Sequence, residues 1–154
     1  MIKPDFISNR FTSIFLFSLL LFFSPVLLAK DKLVEDVLKY TNQFRHSKRL
    51  PALVMREDLN EIAQKHSEDM AKGRTGFGHA GFNQRAAKVR KIFNSYNTVG
   101  ENVVFGANNG EEAVSMWKRS SGHRKNLLGN YKYIGIGAAR SKQGIIYFTQ
   151  IFVN

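Results

Sequence analysis

Apolar residues recur at helical spacing from the start of the polar part of the chain. Leu33, Val34, Val37, Leu38, Thr41 and Phe44 fall on one stripe and predict an amphipathic helix over 32–46. Residues 48–51 end it, because Pro51 disfavours helix in the residue before it. A second stripe of Leu59, Ile62, Ala63, His66 and Met70 predicts a helix capped by Asp58, with Glu61 three residues on in a capping box and Gly73 as its stop. His66 lies within that stripe and reads as a core-facing histidine with a hydrogen-bond partner, whereas His46 sits in a basic loop and reads as solvated. Residues 73–81 are glycine-rich and read as loop, followed by a short basic helix over 83–93.

The pattern then changes period. Residues 99–105 are valine-rich and alternate weakly, which predicts a strand. Asn108-Asn109-Gly110 signals a turn, and Glu111 and Glu112 favour the positive end of a following helix, whose apolar face is Ala113, Val114 and Trp117 and whose end is Ser121-Gly122. Residues 132–140 and 145–153 are β-rich runs joined by a hairpin over 141–144. The last run is apolar on both alternating faces, with Ile146, Phe148 and Phe152 on one and Ile145, Tyr147, Ile151 and Val153 on the other. A strand apolar on both sides is covered on both sides. The expected class is therefore α+β, a three-layer α-β-α sandwich around an antiparallel sheet.

One domain, over 30–154, accounts for this pattern, and 1–29 has a different character. Lys3 and Arg10 precede an almost wholly apolar stretch over 11–28, with Pro25 near its end and Ala29 at a candidate cleavage point. This is the layout of a secretory signal peptide. Leu27 departs from the small residue usual three positions before a cut, and the run is just long enough to span a bilayer, so an uncut membrane anchor is the alternative. Either way the expected location of the domain is secreted, periplasmic or extracellular.

Charge narrows the partners. The chain carries 23 Lys and Arg against 12 Asp and Glu, a formal net charge of +11, and removing 1–29 leaves it strongly basic. The bases cluster at 45–49, at 85–91, at Lys118-Arg119 and at Arg124-Lys125. Such clusters are solvated faces that keep a protein soluble, or they contact an anionic membrane or glycan surface. No nucleic-acid recognition motif accompanies them, so nucleic acid is not an expected partner. There is no cysteine, which excludes a disulfide framework, a zinc finger and a thiol nucleophile.

Candidate chemistry sits in three segments: Gly78-His79-Ala80-Gly81-Phe82, Gly100-Glu101-Asn102-Val103, and the run from Trp117 to Leu128 that contains Ser120-Ser121-Gly122-His123-Arg124-Lys125-Asn126. Each sets an imidazole or a carboxylate beside glycine. Two imidazoles and a carboxylate brought together suit a divalent cation or acid–base work. Sequence spacing leaves open whether the three meet, and the plainer alternative is a polar cluster that braces loops.

These segments, in this order between two N-terminal helices and a C-terminal hairpin, resemble the CAP superfamily (cysteine-rich secretory proteins, antigen 5 and pathogenesis-related 1 proteins; the SCP domain). The likeness covers about residues 33–153. It includes Leu59, Ala63, His66, Ser67 and Met70, then Ile134-Gly135-Ile136-Gly137 and Phe148-Thr149-Gln150-Ile151-Phe152. The absence of cysteine and the run around His123 resemble the bacterial branch, with Ser121 where a proline is usual. The resemblance implies an α-β-α sandwich and a shared cleft of His79, Glu101 and His123, joined by Asn102 and Ser120. In some members the cleft residues hold a divalent cation, here expected to be zinc if any. Many members have a fourth, acidic cleft residue where this chain has Ser120, so one ligand is missing. The function implied is a non-catalytic binding module for a small amphipathic ligand or a cell-envelope component. A metal-assisted, peptidase-like hydrolase with Glu101 as general base, aided by His79 and His123, is the first alternative. A protein–protein interaction module is the second.

Overall fold

The computed structural model describes residues 25–94 and 98–154, so most of the expected leader lies outside the described residues. The elements run α1 (Pro25–Ser47), β1 (Val54–Met55), α2 (Glu57–Ala71), α3 (Phe82–Phe93), β2 (Val99–Phe105), α4 (Gly110–Arg119), α5 (Ser121–Leu127), β3 (Tyr133–Arg140) and β4 (Ile146–Val153). Among the described residues no helix is long and apolar enough to cross a membrane.

The sheet has the order β1-β3-β4-β2. β3 and β4 form the expected antiparallel hairpin, and β2 pairs antiparallel with β4 as the outer strand on that side. The exception is β1, two residues that pair parallel with β3. The sheet is thus antiparallel with one short parallel strand at its other edge.

Alternation along β4 divides two cores. Ile146, Phe148 and Phe152 face α1, α4 and α5, where Val34, Val37, Ala113, Val114, Trp117 and Leu127 close the larger core. Ile151 and Val153 face the other way, against Leu59, Ala63 and Val89 of α2 and α3. The helical layers on both faces are what the two-sided apolar run requires. The stripe of α1 is buried at Val34, Val37 and Thr41 and continues to Arg45, which is 1% exposed. Arg45 therefore does not belong to the solvated 45–49 cluster. Its guanidinium donates to the carbonyls of Pro51, Leu127 and Gly129, each at 2.9 Å.

Two local expectations change. Asp58 does not cap α2: Arg56 holds the cap position, and the Asp58 carboxylate, in the first turn, takes the Arg56 guanidinium instead. Ser121-Gly122 does not end the helical region either. Ser120 closes α4 and opens α5 at once, accepting Arg124 N–H at 2.8 Å, so the chain turns and continues as helix. Gly73 does stop α2, in a left-handed conformation (φ 67°).

Candidate functional site

The outer strand β2 positions the site. Its side chains alternate, so Glu101 points towards α3 while Asn102 points towards α5. β2 would present unpaired backbone groups at its free edge, and α5 answers one of them. Asn126 donates from Nδ2 to the Glu101 carbonyl at 3.0 Å and to Asn102 Oδ1 at 3.0 Å. Asn102 in turn donates to the His123 carbonyl at 3.1 Å. Its side chain is fully buried beside Gln150, which reaches Thr41 Oγ1 at 2.8 Å. Asn102 thus braces the helix that carries His123 and does not line the cleft.

The loop carrying His79 is held at two points. His66, 2% exposed, donates from Nε2 to the Gly78 carbonyl at 2.9 Å, as its place in the apolar stripe predicts. A carbonyl can only accept, so this fixes the ring as the Nε2–H form. Gly81, at φ 78°, then turns the chain into α3. One turn later Arg85 reaches back and donates to the Ala80 carbonyl at 2.8 Å.

Glu101 and His79 meet. His79 Nδ1 lies 2.9 Å from Glu101 Oε1, with the His79 side chain 50% exposed and that of Glu101 2% exposed. The carboxylate accepts, so Nδ1 carries the proton in this contact. His123 stands alongside, its ring centroid 6.3 Å from that of His79 at an interplanar angle of 44°. Arg85, absent from the expected site, grips Glu101 with a fork: Nε to Oε2 at 2.6 Å and Nη2 to Oε1 at 2.8 Å. Ser120 sits at the α4–α5 junction, where its side chain makes no capping hydrogen bond. The adjoining groove has a volume of about 280 Å³ and is lined by Phe82, Val99 and Gly100 together with His79, Glu101 and Asn126. Gly100 is needed there, since a Cβ would come within 2.6 Å of the Tyr131 hydroxyl and 3.2 Å of Asn126 Oδ1.

A divalent cation held by His79, Glu101 and His123 would need a carboxylate oxygen facing the ion. Both Glu101 oxygens face the Arg85 guanidinium, and a metal beside it would set two cations against each other. In this arrangement the set does not fit a divalent ion. Among the described residues no group of three or more His, Asp and Glu side chains is placed to hold one.

Acid acts on two of the imidazoles. Burial holds His66 below the usual histidine range, and burial followed by the neighbouring His79 does the same to His123. The unfolded chain therefore takes up these protons more readily than the folded one. Stability should be fully present above the ordinary histidine value near 6.5 and decline as the pH falls below it. Urea midpoints measured from pH 8 to pH 4.5 should fall, and His66→Gln should flatten part of that slope.

Residues 38–152 match the family described as CAP: Cysteine-rich secretory protein family. The chain is 36% identical over 123 residues to YkwD, an uncharacterized protein of Bacillus subtilis, covering 78% of this chain and 46% of the relative. It is 33% identical over the same length to the uncharacterized membrane protein YlbC of that species, covering 78% of this chain and 34% of the relative. The chain thus spans less than half the length of these curated relatives. A Bacillus anthracis extracellular protein containing an SCP domain superposes with a TM-score of 0.70 at 24% identity, over 86% of this chain and 44% of that one. An outer surface protein of Borrelia burgdorferi gives 0.68 at 21% identity, over 78% of this chain and 92% of that one. With the two-sided sandwich and the His79–Glu101 contact at its β2 edge, these matches show that the chain belongs to the CAP, or cysteine-rich secretory protein, family.

Proposed function

We propose that this CAP domain works outside the cytoplasm as a non-catalytic binding module, and that its groove takes a small amphipathic ligand with an uncharged polar headgroup. The observation that carries this is the make-up of the groove. Phe82 and Val99 offer an apolar wall, His79 and Asn126 a polar one, and the Glu101 charge between them is already answered by Arg85. A volume of about 280 Å³ suits a small ligand or one end of a larger one. An extracellular setting is supported by the leader-like segment and by two structural neighbours, one an extracellular protein and one an outer surface protein. Lys88, Arg90, Lys91, Lys118, Arg119, Arg124 and Lys125 are exposed, which would hold the protein near an anionic membrane or glycan surface.

One observation favours a second reading. His79 is backed by a buried carboxylate through Nδ1 and has no hydrogen bond at Nε2 among the described residues, the arrangement of an oriented general base. A hydrolase built here would use His79 as its base, because the Glu101 oxygens already accept three N–H groups. The binder reading is tested by calorimetric titration with decanol and decanoate. Decanol should bind more tightly, and Val99→Asp should weaken it about tenfold or more, equivalent to ~1.4 kcal/mol. Equal affinity for both probes, or decanol binding untouched by Val99→Asp, would move the ligand elsewhere.

A further inference from the structure

We infer that Arg85 is the resident cation of this site: its guanidinium holds the charge position beside Glu101 that a divalent metal would need, and so makes the cleft independent of metal. The inference stands on the geometry of the ion pair and not on the ligand reading, so the zinc titration below and the decanol titration fail separately.

Arg85 stands apart from the basic residues around it. Lys88, Arg90 and Lys91 on the same helix are exposed, whereas the Arg85 side chain is 12% exposed. Its partners are all within the site: both Glu101 oxygens, the Ala80 carbonyl at 2.8 Å and the His79 carbonyl at 3.5 Å. A planar fork of donors matches a carboxylate bidentately, which a lysine cannot reproduce.

The Glu101 side chain, at 2% exposure, is a carboxylate that must have a positive partner or many donors. Arg85 supplies that charge from within the chain and fixes the His79 loop in the same stroke. The arrangement therefore makes a specific expectation about what its removal does. Without the guanidinium, Glu101 keeps His79 at Oε1 and gains a free oxygen to turn towards a cation shared with His79 and with His123, whose ring centroid lies 6.3 Å from that of His79. A carboxylate with two histidines is a competent zinc ligand set. Arg85 is a positioning residue whose loss creates metal binding, an effect that a plain stabilising ion pair would not have.

The test is zinc titration by calorimetry near pH 7.5, with thermal melts alongside, on the wild type, Glu101→Gln, Arg85→Met, Arg85→Lys and the Arg85→Met, Glu101→Gln double variant. The wild type and Glu101→Gln should give the same isotherm. Arg85→Met should bind zinc about tenfold or more tightly than the wild type, and the double variant should lose that gain. Arg85→Lys, which keeps the charge, should stay close to the wild type. A wild type whose zinc binding drops in Glu101→Gln, or a folded Arg85→Met with no gain, overturns the inference. If the melts show Arg85→Met unfolded, the wild type and Glu101→Gln decide alone: equal isotherms support the inference and unequal ones refute it.

Discussion

Gly137→Ala should destabilise this domain by more than about 3 kcal/mol, at or above the upper end of ordinary overpacking and a large share of a typical domain's 5–15 kcal/mol. The reason is the closeness of α2 to the sheet. A Cβ on Gly137 would fall on the backbone of Ala63 and Gln64, and one on Gly135 on the backbone of Leu59. Helix backbone cannot rotate aside as a side chain can. The close approach also carries hydrogen bonds, since Asn60 Oδ1 accepts the Ile136 N–H at 2.8 Å and Gln64 Oε1 accepts the Ala138 N–H at 3.1 Å. Ser67 donates to the Gly137 carbonyl at 3.1 Å. The α2 side chains thus cover the β3 edge beyond the reach of two-residue β1. Pushing α2 outward by the width of a methyl group breaks these bonds together. Urea unfolding should show a large loss for Gly135→Ala and for Gly137→Ala, against a small change for the exposed Gly122→Ala, whose Cβ would meet nothing within 4 Å.

Arg45→Met should cost about 3–5 kcal/mol, because each hydrogen bond to a charged group is worth roughly 1.5–3 kcal/mol and the abandoned carbonyls regain water only in part. Arg45 ties the end of α1 to the turn after α5 through Leu127 and Gly129. It also fixes the Pro51 segment that leads into β1. Burial pushes its guanidinium below the usual arginine range, so the carbonyl hydrogen bonds are what offset the cost of burying the charge. Methionine keeps most of the stem and removes the donors, which separates the polar loss from the packing loss. Lysine should recover only part, as it cannot fork between carbonyls. Guanidinium chloride unfolding of the two variants reads both numbers; a change below about 1 kcal/mol for Arg45→Met would mean that water replaces the clamp at little cost.

The elements that could be seen in the sequence were those whose period outlasts their ends. β2 spans Val99–Phe105 as its valine pattern predicts, and the two-faced apolar run of β4 requires the second helical layer that α2 and α3 supply. β1 is too short for any period to show, and its partner lies more than seventy residues away. α5 was hidden because Ser121-Gly122 signals a stop, whereas Ser120 closes α4 and opens α5 at once. The site divides in the same manner. Spacing alone left open whether His79 and Glu101 meet; the family resemblance implied it, and the two side chains are in contact. Arg85 and Arg45 could not be told from their basic neighbours by charge, since burial and not residue type distinguishes them. For Arg45 a signal existed: it continues the buried spacing of Val34, Val37 and Thr41. For Arg85 there was none, because its role depends on a loop bringing Glu101 within reach.

On the proposed function, the groove beside His79, Glu101 and Arg85 binds its ligand without turning it over. The most direct test is to incubate the purified protein with peptide, ester and glycan substrates, with and without zinc, while following decanol binding in the same preparation. The expected result is saturable binding, substrates recovered unchanged, and no effect of zinc on either. Reproducible turnover that is lost in His79→Ala, in protein that still melts at the wild-type temperature, would contradict it.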